Sequence, residues 1–452
     1  MKHYDVVIIG TGQATGTILP ELLQNNLSVA TVEGDRVGGT CVNWGCTPTK
    51  ALVASARAAH MAARGADFGI DIPEKKIDFP RVMKRVNDIR NTASTGFQGW
   101  LEEATDFYPG WARFIDDHTI AVGEEKFSGE TFIIHTGARA RSPQLPGIDT
   151  VQWLDNRGLL ELQELPKHLL IVGGSYIGME FGQAFRRFGS EVTIFERGER
   201  IIFREDPEFS TTAQSILEQE GVGFHLNSTS TKVEKTQEGV KLTYEQEGQV
   251  KEASGSHILF AVGRLPNSET LNLESAGVEV GERGHIQVDE YCRTTQPHIY
   301  AVGDVNGRGA FTHTSVHDGQ VFLDHYFQRG TRSVSGRNLT YAMYMDPPLA
   351  RVGMSASQAE REGRDYLVGS LPMSSVSRAK EKAETDGLMK VVVEKETKQI
   401  LGATVFGVGG DEIIGMLALA MQAKLPYSTL QETVIPHPTV GELVPWLFAD
   451  LK

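Results

Sequence analysis

One pattern occurs twice in this chain and constrains its fold more than any other: an apolar strand, a glycine turn, a helix, and a second strand that ends on an acid. The first copy reads YDVVIIG, TGQATG and the helix-compatible TILPELLQNN, with SVATVE closing on Glu33. The second reads HLLIVGGSYIGMEFGQAFRRFGSEVTIFERG and closes its second strand on Glu196. This is the layout of a dinucleotide-binding βαβ unit, in which glycines admit a pyrophosphate to the helix N-terminus and the acid takes a ribose hydroxyl. Two copies argue for two dinucleotides, held at Gly10, Gly12 and Glu33 in one and at Gly173, Gly174, Gly178 and Glu196 in the other. Each copy departs from G-x-G-x-x-G once: Thr15 takes the third small position, with Gly16 after it, and Ser175 takes the middle glycine position beside Gly174.

The chain's 452 residues exceed one hydrophobic core, and at about 150 residues per domain they suggest roughly three domains. A formal charge of −14 disfavours nucleic acid and anionic membranes as partners, because phosphate binding needs clustered Lys and Arg. No apolar run reaches the roughly 18 residues of a membrane span, and MKHYDVVIIG enters a strand with no signal-peptide pattern, so the expected compartment is cytoplasmic.

Two of the three cysteines, Cys41 and Cys46, sit in GGTCVNWGCTPTK. Three cysteines are too few for a secreted disulfide framework. A structural staple, part of a metal site and a redox pair are the readings open to them. Five residues of ideal helix rise about 7.5 Å, beyond the roughly 4.4–6.8 Å Cα spacing of a disulfide, so a bond here needs a broken turn. Gly45 relaxes the backbone and Pro48 is tolerated in a first turn, which predicts a helix starting near Cys46 or Thr47. A thiol there gains from the helix dipole. A metal site would need more ligands than C-x₄-C supplies, and no metal site is assigned. Cys292, in the strand-like DEYCRTT, reads as structural.

Two further strand-then-glycine stretches follow, HILFAVGRLPN as the end of the second nucleotide domain and HIYAVGDV as a return to the first. From about Arg337 the alternating LMKVVVE and ILGATVFGV and the helical EIIGMLALAMQAKL read as an α+β module.

In their order, GTGQATG, GGTCVNWGCTPTK, TGARARSPQLPG, GGSYIGMEF, AVGRLPN, YAVGDV, DPPLARVGMS and HPTVGE resemble the FAD-dependent pyridine nucleotide–disulfide oxidoreductases, the family of lipoamide dehydrogenase, glutathione reductase and mercuric reductase. The resemblance implies an α/β protein with two Rossmann-like domains and a C-terminal α+β dimerisation domain. It places an FAD domain at 1–143 and 266–336, an NAD(P)H domain at 144–265 and an interface domain at 337–452. It further implies a homodimer whose active site is shared across the interface.

Residue by residue, the resemblance makes Cys41–Cys46 a redox-active disulfide, with Cys46 facing the flavin and Cys41 meeting substrate. It carries Lys50 toward the flavin, paired with Glu180, where a cation stabilises reduced flavin. His437 and Glu442 match an acid–base pair that serves the partner subunit's Cys41. Tyr176 matches the residue that lids the nicotinamide pocket, and Asp304 the acid that binds the ribityl chain. Gly39, Thr40, Thr136, Gly137, Ile177 and Gly263 complete the implied cofactor contacts. Glu196 favours NADH, since its charge would repel the 2′-phosphate of NADPH, while Arg197 and Arg200 keep NADPH as the alternative.

For the acceptor the pattern is less specific. The C-terminus VPWLFADLK lacks the vicinal cysteines of mercuric reductases, yet DPPLARVGMS and SRAKEKAETDGLMK resemble the mercuric-reductase-like branch. That branch includes flavoproteins of reactive-chlorine resistance. Trp44 and Thr47 replace smaller residues at the cysteine turn, and Trp44 reads either as packing or as a barrier to bulky disulfides. The helix ALVASARAAHMAAR offers few anchors for the carboxylates of glutathione. The reading is a reductase of a small thiol-reactive acceptor: a metal ion, a reactive oxidant or a compact disulfide. Dihydrolipoamide dehydrogenase is the alternative enzyme, and a non-catalytic flavoprotein sensor or scaffold the alternative of another class.

Overall fold

The computed structural model describes residues 1–330 and 332–452. These fall into two compact units: Met1–Ala51, Met83–Arg141 and Val262–Arg337 form the first, and Leu52–Val82, Ser142–Ala261 and Asn338–Lys452 the second.

In the first unit, among the described residues, the strands Asp106–Pro109, Val29–Glu33, Lys2–Ile9 and Glu125–Ile134 lie side by side in parallel, joined by Ile299–Ala301 on the last of them. The strands Thr119–Val122 and Ala112–Phe114 extend the sheet antiparallel. Lys2–Ile9 is apolar on both faces because both are covered: Val7 and Ile9 pack into one core, Val6 and Ile8 into another. Ala138–Ala140 pairs antiparallel with Arg264–Pro266, which ties TGARARS to AVGRLPN.

In the second unit, among the described residues, Gly223–His225, Glu191–Phe195, His168–Val172 and His257–Phe260 form a parallel sheet, beside an antiparallel sheet of Ser228–Lys235, Val240–Gln246 and Gln249–Gly255. The C-terminal segment builds its own antiparallel sheet in the order Thr340–Met343, Leu349–Gly353, Ile400–Phe406, Leu388–Glu394 and Tyr366–Pro372, covered by the helix Gly410–Gln422. Its ties to residues 142–261 include ion pairs and hydrogen bonds to buried carboxylates. The Asp206 carboxylate accepts from the Ala356 and Ser357 amides and from Lys390 at 2.8 Å. Arg187 pairs with Asp346 at 2.5 Å and with Glu220 at 2.7 Å. These contacts explain why the expected NAD(P)H and interface segments share one compact unit.

The architecture is the expected one, α/β with two Rossmann-like sheets and a C-terminal α+β module. Cys292 departs locally from expectation. It sits in a turn with φ +65° outside any strand, fully buried, and burial pushes its thiol well above the ordinary range. No helix among the described residues is long and apolar enough to cross a membrane.

Candidate active site

The cysteine turn is built onto the first glycine turn. Gly38, at φ +100°, donates its amide to Thr11 O at 3.2 Å. A Cβ on Gly39, itself at φ +62°, would stand 3.1 Å from the Gly12 Cα, so only glycine allows this approach. Gly39–Asn43 then forms one helical turn that carries Thr40 and Cys41. Trp44 donates to Thr40 O at 2.8 Å and the turn ends. A Cβ at Gly45 would press to 2.9 Å from that same carbonyl. The next helix, Cys46–Ala63, begins with Thr49 N donating to Gly45 O at 3.0 Å, which places Cys46 at its N-terminus as the sequence predicts.

Around the thiols, Cys46 Sγ lies 3.2 Å from Thr312 Oγ1. Thr312 opens the helix Thr312–Tyr326, and nothing in its own sequence context marks it. The Cys41 thiol is pushed far above the ordinary range, first by its hydrogen bond with Cys46, then by burial and by negative charge on Cys46. Thr312 and the positive charge of Lys50 oppose this. Cys46 lies at the helix N-terminus, where the dipole favours a thiolate.

Beneath the turn, the fully buried Asn43 donates to Val37 O at 2.9 Å and Gly39 O at 3.1 Å. Trp44, 8% exposed, has the guanidinium carbons of Arg36 and Arg90 at 5.5 and 4.8 Å from its ring, and Arg90 also donates to Asn43 O. Of the two readings of Trp44, this geometry is packing.

The two glycine turns match contact for contact. Glu33 accepts from Thr11 N at 3.0 Å and Asp35 N at 2.9 Å; Glu196 accepts from Gly174 N at 2.7 Å and Gly198 N at 2.8 Å. Gly10 and Gly173 have φ of +101° and +117°, and a Cβ on either would strike a backbone carbonyl, of His135 and Ala261 respectively. Gly178 is needed for close packing, since its Cβ would meet Gly173 O at 2.2 Å. Ser175 stands at the N-cap position of the helix Tyr176–Phe188 without a side-chain cap hydrogen bond, and the helix begins with the half-buried Tyr176 and Ile177.

Thr15, the irregular residue of the first turn, is explained by His135. Its hydroxyl donates to Gly10 O at 3.1 Å and bonds His135 Nδ1 at 3.2 Å, while His135 Nε2 bonds Ser315 Oγ at 2.9 Å. Burial lowers the His135 pKa from 6.5 to about 4, so the ring is neutral. A Cβ on Gly12 would come 2.7 Å from that ring. The departure at Thr15 was the signal that a polar partner stood behind the turn.

The remaining first-unit candidates gather at one crossing. Thr136 Oγ1 donates to Asn267 O at 2.7 Å, Asn267 N donates to Gly137 O at 2.9 Å, and Gly263 O accepts from Arg141 N at 3.0 Å. Burial raises the Asp304 carboxyl, and Arg264 at 3.6 Å opposes the rise.

In the second unit, Glu180 is 3% exposed and accepts from Tyr344 N at 2.8 Å. His437 Nδ1 donates to Glu442 Oε2 at 2.8 Å; the imidazole is 73% exposed and the carboxylate 11%, so the acid is fixed and the ring's other nitrogen faces outward. Lys50 lies in the first unit, so Glu180, His437 and Glu442 are set on the other unit from the thiols and Lys50.

Comparison with known proteins points one way. Residues 4–319 match the family described as "Pyridine nucleotide-disulphide oxidoreductase", and residues 339–448 match its dimerisation domain. The chain is 36% identical over 462 residues, the full length of both, to a probable pyridine nucleotide-disulfide oxidoreductase RclA of Escherichia coli K12. It is 32% identical to a mercuric reductase of Bacillus cereus, over 97% of this chain and 70% of that one. A solved structure described as the Cu(II) complex of the HOCl-induced flavoprotein disulfide reductase RclA from Escherichia coli superposes with a TM-score of 0.90 at 35% identity, covering 99% of each chain.

Proposed function

Because this chain belongs to the pyridine nucleotide–disulphide oxidoreductases, a family of FAD- and NAD(P)H-dependent enzymes, we propose that it passes electrons from NAD(P)H through FAD to Cys41–Cys46 and on to a small thiol-reactive acceptor. The observation that carries this reading is the cysteine turn: two hydrogen-bonded thiols, one at a helix N-terminus, seated through Gly39 on the first dinucleotide turn. Bound FAD supplies the exchange between hydride and thiol chemistry.

The chain's own residues fit these groups. Gly10 and Gly12, with Glu33, would hold the FAD pyrophosphate and adenosine, and Asp304 its ribityl chain; a side chain at either glycine would strike His135 and distort the turn. Gly173, Gly174 and Gly178 with Glu196 would hold the nicotinamide nucleotide, and the Glu196 charge favours NADH over NADPH. Cys46 would stand as the thiol beside Thr312 at the helix N-terminus, and Cys41, whose thiol is raised, would give its proton to a base as it attacks the acceptor. Lys50 would supply the cation that stabilises reduced flavin.

His437, oriented by Glu442, would serve the partner subunit's thiol as acid–base, taking the proton of the attacking thiol and returning it to the leaving group. A homodimer is supported by the matched dimerisation domain and by exposed apolar residues of this module: Leu419 at 70%, Val434 at 96% and Trp446 at 64%.

The acceptor class rests on Arg57 in the Cys46–Ala63 helix and Arg64 just after it. Arg57 is ion-paired with Asp346 and Glu384, and Arg64 with Asp67 and the Ala383 carbonyl. Neither is available to the carboxylates of glutathione. Similarity to a protein described as HOCl-induced and as a Cu(II) complex makes reactive chlorine species, their thiocyanate products and Cu²⁺ the first acceptors to test.

The test is NADH consumption by the purified holoenzyme across Cu²⁺, Hg²⁺, hypothiocyanite, oxidised lipoamide analogues and oxidised glutathione. Cys41→Ser should leave flavin reduction by NADH intact and abolish acceptor turnover. Full turnover in that variant refutes the thiol relay, and turnover with oxidised glutathione alone refutes the acceptor class.

A further inference from the structure

Outside the cysteine turn, the first unit brings together three metal-ligating side chains that the proposed chemistry does not use: Asp117, His118 and His298. Asp117 and His118 stand in the tight turn between the strands Ala112–Phe114 and Thr119–Val122. That turn is closed by Ile115 N donating to Thr119 O at 2.8 Å and by His118 N donating to Asp116 Oδ1 at 3.0 Å. His298 immediately precedes the strand Ile299–Ala301, and its carbonyl accepts from Phe132 N at 2.9 Å. The His118 carbonyl likewise accepts from Gly129 N at 3.1 Å. Both histidines are therefore fixed by backbone to the same strand, Glu125–Ile134, although they are far apart in sequence.

The hydrogen bonds of the rings settle which nitrogens carry protons. His118 Nδ1 lies 3.1 Å from the Gly129 carbonyl, and His298 Nε2 lies 2.8 Å from the Asp117 carbonyl. A carbonyl oxygen only accepts, so in each ring the bonded nitrogen is the donor. When the ring is neutral, the opposite nitrogen, His118 Nε2 or His298 Nδ1, presents a lone pair. A ring N–H given to a carbonyl while the other nitrogen is left to bind is the arrangement that orients histidine ligands in metal sites. The rings stack with centroids 4.1 Å apart and planes 7° from parallel, and one ligand atom from each of the three residues lies within 4.8 Å of the others. With metal–nitrogen distances of about 2.0–2.1 Å and lone pairs that lie in the ring planes, one ring must turn out of the stack for both nitrogens to meet one ion, a movement that the exposed turn carrying His118 permits.

We propose that Asp117, His118 and His298 form a surface site for one divalent transition-metal ion, with two imidazole nitrogens and a carboxylate as protein ligands and water in the remaining positions. Imidazole selects the Cu²⁺, Ni²⁺ and Zn²⁺ class, whereas Mg²⁺ and Ca²⁺ prefer all-oxygen sites. The site shares no residue with the thiol relay, so it stands whether or not that relay reduces metals.

Cu²⁺ is the probe, because its electron paramagnetic resonance spectrum counts nitrogen ligands. The background is the Cys41→Ser, Cys46→Ser holoprotein, in which the paired thiols cannot take the ion. Titration should show an equivalent of Cu²⁺ with two-nitrogen superhyperfine structure. Adding His118→Gln or His298→Gln should remove one nitrogen and weaken binding at least about tenfold, a loss of roughly 1.4 kcal/mol, and adding both should remove the equivalent. Zn²⁺ calorimetry on the same proteins gives an independent reading. Both histidines are at least partly exposed, so an unchanged circular dichroism spectrum and melting temperature confirm folding. The proposal is overturned if the quadruple variant binds as much Cu²⁺ as its background, or if the two-nitrogen spectrum persists in His118→Gln.

Discussion

Trp44→Ala separates a packing role from a gating role at the cysteine turn. The ring is 8% exposed, and its neighbours Arg36 and Arg90 lie over it at 5.5 and 4.8 Å. Truncating a buried aromatic to alanine costs about 3–5 kcal/mol, a range that absorbs two cation–π contacts of roughly 0.5–1 kcal/mol each. Taking about 3 kcal/mol, and 1.4 kcal/mol per decade, local opening should become roughly a hundredfold more frequent. The reporters are the amides of residue 44, bonded to Thr40 O, and of Thr49, bonded to Gly45 O. Hydrogen exchange at both should accelerate by about two decades, with exchange in the Leu388–Glu394 strand unchanged. The ratio of kcat/KM for oxidised glutathione to that for a compact disulfide such as cystamine should move less than about threefold, since no access route is widened. Unchanged exchange together with a tenfold or greater gain for glutathione would refute the packing argument and make Trp44 a gate.

Glu196→Gln keeps an acceptor for the turn while removing the charge, and should raise the NADPH-to-NADH ratio of kcat/KM about tenfold; an unchanged ratio assigns selectivity elsewhere. His135 contributes a pH-dependent stability of known sign: its folded pKa is about 4 against 6.5 unfolded, so the unfolded chain binds the extra proton and stability falls as pH drops from 6.5 to 4. The contribution is roughly 3 kcal/mol at about 1.36 kcal/mol per unit, and the wild-type minus His135→Asn difference in unfolding free energy should trace it; a flat difference across that window contradicts it. Thr312→Val removes the hydroxyl 3.2 Å from Cys46 Sγ with little change of shape. Iodoacetamide alkylation of the dithiol-reduced variant at pH 7 should slow by about tenfold, the low end of a hydrogen bond to a charged group, and an unaltered rate would show that Thr312 does not stabilise the thiolate.

Much of the fold was legible because the two βαβ copies carry their own punctuation. The turn glycines, the acids closing the second strands and the helix start at Cys46 all follow from local backbone geometry, and Gly10, Gly173 and Gly45 show the close approaches that require glycine. What escaped sequence reasoning comes from partners distant along the chain. His135 reaches Thr15 across 120 positions and Thr312 reaches Cys46 across 266. Both belong to neighbouring strands or helices whose registry only the sheet determines. Cys292 looked like a strand residue because its flanks are β-prone, but a single left-handed residue breaks the run before the strand Ile299–Ala301 begins. The packing of Arg36 and Arg90 on Trp44 could not be inferred either, since a tryptophan beside a cysteine reads equally as lid or floor until its burial is known.

The acceptor question turns on the same kind of distant pairing. The two segments that set this sequence beside the mercuric-reductase-like branch, DPPLARVGMS and SRAKEKAETDGLMK, supply Asp346 from one and Ala383 and Glu384 from the other. These groups consume Arg57 of the Cys46–Ala63 helix and Arg64 just after it. The Asp346 carboxylate is only 10% exposed and also holds Arg187. Withdrawing Arg57 to bind a substrate carboxylate would leave part of a buried ionic network unpaired, at a cost of several kcal/mol. A substrate such as glutathione offers carboxylates in water, where a new surface ion pair returns at most about 1 kcal/mol. The exchange is unfavourable, so these arginines remain structural. An acceptor that needs no carboxylate anchor, such as a metal ion, a small oxidant or a compact disulfide, loses nothing by their absence, and the residues that resemble the branch thereby account for the substrate class proposed for it.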